Sequence, residues 1–116
     1  MGLPIKNIAE ILGAKVLTPC LHASREVIHA FSSDLMSDVL TGNYVNTVLL
    51  TGLSNLQVIR TAEMSDIREV IIARGKDVSR EMIDLAIESE IVLLSSQYSL
   101  FRVSGILYEH GIKPVY

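Results

Sequence analysis

Three apolar runs, Val48-Leu49-Leu50, Val70-Ile71-Ile72 and Val92-Leu93-Leu94, start at positions 48, 70 and 92 and so recur with a 22-residue period. Strands that are apolar at nearly every position are usually covered on both faces of a sheet. After each run come polar, Gly- or Ser-bearing residues, then apolar positions at helical spacing. The clearest unit runs from Asn46 to Glu63, where the apolar run ends in Thr51-Gly52. Ser54, with Gln57 three residues on, reads as a capping box that satisfies free amides at a helix start. Strand–loop–helix units in series predict a parallel sheet, with right-handed crossovers placing helices on both sides. Solenoids also repeat at about this length. Different elements precede the three units here, which favours an open sheet. The expected class is α/β: a three-layer α/β/α sandwich with a mostly parallel central sheet, one domain over residues 1–116.

The remaining pattern fills in the ends. Residues 4–12 predict a short helix with Ile5, Ile8, Ala9 and Leu12 on one face, Pro4 in its first turn and Gly13 ending it. Ala14 to Leu17 reads as a short strand, Thr18 to Arg25 as a loop, and Glu26 to Phe31 as a second strand. Asp34 to Leu40 predicts a two-turn helix burying Leu35, Met36, Val39 and Leu40, closed by Gly42. Glu69 to Ala73 is a strand and Arg74 to Asp77 a turn; Ser79 caps a helix with the face Met82, Ile83, Ala86 and Ile87. After a strand over Ile91 to Leu94, Ser95, Ser96 or Ser99 caps a last helix that buries Leu100, Val103 and Leu107. In that helix Ser104 and Gly105 are small enough for close approach of a neighbour. Gly111 stops it before a short edge strand over Lys113 to Tyr116.

Composition narrows the class. A chain of 116 residues can bury a core without staples, and with an aromatic share of 5% and no Trp that core must be aliphatic. A net charge of −3 argues against a broad nucleic-acid or anionic-membrane surface. Cys20 is the only cysteine, so neither an intrachain disulfide nor a cysteine metal cluster can form. Lys6, Glu10 and Gly13 interrupt the N-terminal stretch, which therefore lacks a signal-peptide core, and no apolar span approaches the ~20 residues a bilayer requires. A cytoplasmic address is the expectation.

In an open parallel sheet ligands bind outside the carboxyl ends of the strands. Those ends carry Ser32-Ser33, Thr51-Gly52, Arg74 with Lys76, and Ser95-Ser96. Each end leads into a helix N-terminus, where free amides favour anions. Thr51, Gly52, Arg74, Lys76 and Ser95 are thus the candidate ligand residues, for a phosphate or carboxylate. The plainer reading makes the serines caps and the two cations solvated. Thr51-Gly-Leu-Ser54 has neither a Gly-x-x-x-x-Gly-Lys frame nor a Gly-x-Gly-x-x-Gly fingerprint. His22, His29 and His110 show no metal-ligand spacing, and Cys20 has no base beside it in sequence. Asp34 and Asp38 lie one turn apart; the expectation is a helix cap or dipole partner and a solvated residue. Tyr98, Phe101, Tyr108 and Tyr116 read as packing against the sheet or, if exposed together, as an interface. No catalytic residues, metal ligands or cofactor are expected.

Read together, Phe31-Ser-Ser-Asp-Leu-Met-Ser-Asp-Val-Leu40, Leu49-Leu-Thr-Gly-Leu-Ser-Asn-Leu-Gln-Val-Ile-Arg60, Ala73-Arg-Gly-Lys-Asp-Val-Ser79 and Leu93 to Gly111 resemble the DRTGG-domain family over almost the whole chain. That family is similar to the N-terminal domain of bacterial HPr kinase/phosphorylase. The name-giving Asp-Arg-Thr-Gly-Gly falls near Ser24 to Ala30; Arg25 keeps the arginine, and Ile28, His29 and Ala30 stand in place of Thr-Gly-Gly. The resemblance implies a compact α/β/α fold, self-association, and sensing or scaffolding instead of catalysis. The expected function is a non-catalytic regulatory or protein-interaction module, a homodimer with a possible partner protein. The alternative is a sensor of a nucleotide or phosphorylated metabolite at the strand ends. Neither nucleic acid nor membrane is an expected partner.

Overall fold

A computed structural model describes residues 2–20 and 25–116. The first elements are β1 (Leu3–Pro4), α1 (Ile5–Leu12), β2 (Lys15–Val16), β3 (Glu26–Val27), β4 (His29–Ser32) and α2 (Met36–Val39). The repeating part follows as β5 (Thr47–Thr51), α3 (Leu56–Met64), β6 (Glu69–Ile72), α4 (Arg80–Glu88) and β7 (Val92–Ser95), then α5 (Leu100–Glu109) and β8 (Lys113–Pro114). The main sheet has the order β2-β7-β6-β5-β4-β8, with every pair parallel except β2 against β7. A two-stranded antiparallel ribbon joins β1 to β3. The fold is α/β with a mostly parallel central sheet flanked by helices.

Alternation along the strands divides the core in two. Val48, Leu50, Ile71, Val92 and Leu94 meet α1 and α5 on one face. Leu49, Val70, Ile72 and Leu93 meet α2, α3 and α4 on the other. Thus α2, α3 and α4 lie on one side, and α5, returning from β7 to β8, joins α1 on the opposite face. Fully burying one Leu or Ile contributes ~1.5–3 kcal/mol, so each of these strand positions contributes substantially to stability.

Local chemistry moved several sequence-predicted boundaries. The strand expected over 26–31 is two strands: at Ile28 the chain leaves β1's partner and turns into the main sheet, held by an Ile28 N–H bond to the Asn46 carbonyl (2.8 Å). The helix expected from Asp34 to Leu40 is only Met36–Val39, and of its expected core residues Leu35 (58% exposed) and Leu40 face outward. Asn55, not Ser54, caps α3, accepting from the Val58 N–H. Ser54 instead donates to the Asp77 carbonyl at 2.6 Å, tying together the loops after β5 and β6. Ile87 is partly exposed beyond α4's buried Met82 and Ala86. Ser99 caps α5. A β-carbon on Gly105 would meet nothing within 4 Å, so that glycine serves no close approach here.

Candidate functional site

The carboxyl ends of β4 to β7 form one edge, and hydrogen bonds knit its loops together. Thr51, Ile72 and Ser95 occupy one row across β5, β6 and β7. With β6 between them, Thr51 and Ser95 are about 10 Å apart at the usual strand spacing. Thr51 is buried and its hydroxyl donates to Asp34 Oδ1 at 2.9 Å. The Gly52 N–H donates to the same oxygen at 2.7 Å. Asp34 is therefore not a helix cap: the residue is exposed, but its carboxylate docks onto the end of the neighbouring strand, while Asp38 is exposed as expected.

Arg74 lies across this point. A β-carbon on Gly52 would come within 2.8 Å of Arg74 Cδ, 3.2 Å of its Nη1 and 3.4 Å of Asp34 Oδ2. Gly52 is thus the bare floor between a guanidinium and a carboxylate. Arg74 itself holds φ +73°, followed by Gly75 at +63°. Left-handed backbone is costly for an arginine and free for a glycine. The turn is held by its amides: Arg74 N–H donates to the Tyr98 carbonyl (2.7 Å) and Gly75 N–H to the Ser96 carbonyl (2.9 Å). Gln97 Oε1 sits where a Gly75 side chain would have to go. Arg102 stacks its guanidinium 3.9 Å from the Tyr98 ring centre. Lys76 is exposed just past the turn.

Topology marks the neighbouring gap, between β6, which leads into Arg74, and β7. The connection after β6 runs through α4 on one face, and that after β7 through α5 on the other. Crevices at such reversals are where open α/β sheets hold ligands. Of the five residues expected from sequence, Thr51, Gly52 and Arg74 come together, Lys76 flanks them, and Ser95 stands two strands from Thr51. Sequence reasoning missed Asp34 in this role, and also Gln97, Tyr98 and Arg102. Only the Ser-Ser-Asp spacing after β4 hinted at the first. The arrangement offers a hydroxyl, an amide and cations to an oxyanion.

Other candidates fall elsewhere. His29 Nδ1 lies 3.2 Å from the Val45 carbonyl oxygen, and His110 Nδ1 lies 2.8 Å from that of Ile106. His22 lies outside the described residues. Among the described residues no three His, Cys, Asp or Glu side chains converge as metal ligands. Arg25 pairs at 3.7 Å with buried Glu69 at the amino end of β6. That is the opposite edge from Thr51 and Arg74. A cavity of about 140 Å³ lies between α5 and the β4–β8 edge, lined by Ala30, Leu50, Ser104, Leu107 and Pro114 among others. Phe101 (87% exposed) and Tyr108 (71% exposed) project from α5, correcting the expectation that they pack on the sheet.

This geometry defines a class: a three-layer α/β domain whose mostly parallel sheet is covered by helices on both faces. No protein-family model matches the chain, and no curated protein matches it. Among solved structures it is similar to the CBS and DRTGG domains of the regulatory region of the Clostridium perfringens pyrophosphatase, crystallised with the activator diadenosine tetraphosphate. The TM-score is 0.74 at 16% identity, covering 90% of this chain and 45% of that one. At that identity the likeness is one of fold, and this chain spans less than half the length of that structure. Among the described residues no helix is long and apolar enough to cross a membrane.

Proposed function

We propose that this chain is a non-catalytic regulatory module that senses a nucleotide or other phosphorylated ligand at the carboxyl edge of its sheet. One observation carries the reading: the Thr51 hydroxyl and the Gly52 amide already hold an oxyanion, the carboxylate of Asp34, beside the Arg74 guanidinium. A phosphoryl oxygen presents the same acceptor chemistry with more charge. Lys76 and Arg102 extend the positive rim on a chain whose net charge is negative. The topological reversal between β6 and β7 adjoins Arg74, one strand from Thr51 and Gly52. A solved structure of similar fold belongs to a regulatory region crystallised with a nucleotide activator, which supports the ligand class. Membership of the DRTGG family, kinship with the HPr kinase N-terminal domain, a single-domain organisation and a cytoplasmic address belong to the same proposal. Calorimetric titration with ATP and diadenosine tetraphosphate tests it: saturable binding is expected, lost when Arg74 and Lys76 are both changed to Ala.

A second mode is self-association, favoured by the apolar stripe on α5. Phe101, Gly105 and Tyr108 follow one another at helical spacing, two large apolar rings on either side of open space over the glycine. A homodimer closed by a twofold axis would bury this stripe against its own copy. Leu35, Met36 and Val39 on the short helix are the other candidates for such a face; Met36 and Val39 are buried in the core, and Leu35 is exposed.

A further inference from the structure

The Asp34 contact does more than satisfy two donors. Asp34 sits in the short segment between β4 and α2. Ser33 N–H bonds to the Leu50 carbonyl (3.0 Å) and Leu35 N–H bonds to Ser33 Oγ (3.0 Å), which fix the segment on either side of it. Its Oδ1 takes both the Thr51 hydroxyl and the Gly52 amide. These are the donors at the strand end that an incoming oxyanion needs, and one carboxylate oxygen uses both. Its Oδ2 and Arg74 Nη1 both face the bare backbone of Gly52. A second oxyanion cannot take the same two hydrogens while the carboxylate stays, and the two negative charges would repel at contact distance.

We propose that Asp34 is a built-in competitor that occupies the anion seat in the free protein and must swing away when a phosphorylated ligand enters. The proposal rests on the reading of this edge as a ligand site. Two consequences follow from where Asp34 is attached. Affinity is set by the exchange of one anion for another, so it is weaker than the donors alone would give. The exchange also moves the segment two residues ahead of α2. That four-residue helix is anchored by two buried side chains, Met36 and Val39, so little core opposes its displacement. Ligand entry at the sheet edge thereby becomes a change at the α2 surface, where Leu35 and Leu40 are exposed.

The test compares ATP binding by wild type, Asp34→Asn, Asp34→Ala and the Arg74→Ala/Lys76→Ala double variant. Asn keeps an acceptor for the Gly52 amide while removing the charge, so it preserves the fold most closely. The expected result is about tenfold tighter binding by Asp34→Asn than by wild type, with Asp34→Ala at least as tight and the double variant weakened. Wild-type binding that the double variant loses, with both Asp34 variants unchanged or weaker, overturns the competitor role and leaves the site standing. Absence of binding in every protein overturns both. A second readout needs no variant: in wild type at saturating ATP, the Gly52 amide and the Met36–Val39 backbone resonances should shift together. Binding that leaves them in place contradicts the exchange.

Discussion

Arg74 keeps a backbone conformation that costs an L-residue about 1–2 kcal/mol, on an exposed turn where glycine would be free of that cost. The turn is over-determined by the Tyr98 and Ser96 carbonyls, and strain of this kind concentrates at functional positions. Tyr44 is a structural counterpart. Its hydroxyl donates to the Val39 carbonyl at 2.7 Å and its ring lies 5.7 Å from Phe31. Burial, and then the nearby Tyr116 and Asp38 charges, raise its pKa above the ordinary phenol value. The fold therefore favours the neutral phenol. Its contribution is intact below the unfolded pKa of about 10 and is lost as pH rises through the higher folded value. Chemical denaturation against pH should show stability falling above about pH 10. Tyr44→Phe should make that fall shallower while costing about 1 kcal/mol at neutral pH through the lost hydrogen bond. An unchanged alkaline slope would contradict the assignment.

The helices repeat one ending. In α1, α3, α4 and α5 a left-handed residue closes the last turn: Gly13, Asp66, Glu90 and Gly111. In each, that residue's amide reaches three residues back, to Glu10, Glu63, Ile87 and Tyr108 in turn. The next residue's amide reaches five back, so Ile67, Ile91 and Ile112 bond to Ala62, Ala86 and Leu107 and are buried on the way into a strand. This is the Schellman geometry with its hydrophobic contact. Two of the four stops lack the glycine that announces them, so only the ends at Gly13 and Gly111 were legible in the sequence. Glu90 also places a carboxylate at the negative end of α4. Glu90→Gly should therefore stabilise the domain by ~0.5–1 kcal/mol, the left-handed cost removed less the added unfolded-state entropy. A few degrees' rise in Tm would register it; a fall would contradict the account of the stop. The strands were legible because they are apolar on both faces, and the α3 cap was not, since Ser54 and Asn55 are equally good caps. Only tertiary structure spends Ser54 on the Asp77 carbonyl.

At the scale of the molecule, the sheet separates three surfaces. The amino edge carries the Arg25–Glu69 pair, the carboxyl edge carries the Asp34, Thr51, Gly52 and Arg74 cluster, and α5 carries the exposed rings. The carboxyl edge was half legible: strand ends can be counted in the sequence. The partnership of Asp34 with residues 17 and 18 positions further on depends on β4 and β5 lying side by side. Sedimentation at micromolar concentration should show a dimer that Phe101→Ala/Tyr108→Ala converts to monomer. A wild-type monomer would remove the self-association mode.

The central claim is the anion seat, and thermal denaturation with nucleotides tests it most directly. A ligand bound only to the native state at a hundred times its Kd adds ~2.7 kcal/mol. The expected result is a raised Tm with ATP or diadenosine tetraphosphate that the Arg74→Ala/Lys76→Ala variant loses. A Tm unmoved by either nucleotide, or a shift that survives in the double variant, would contradict it.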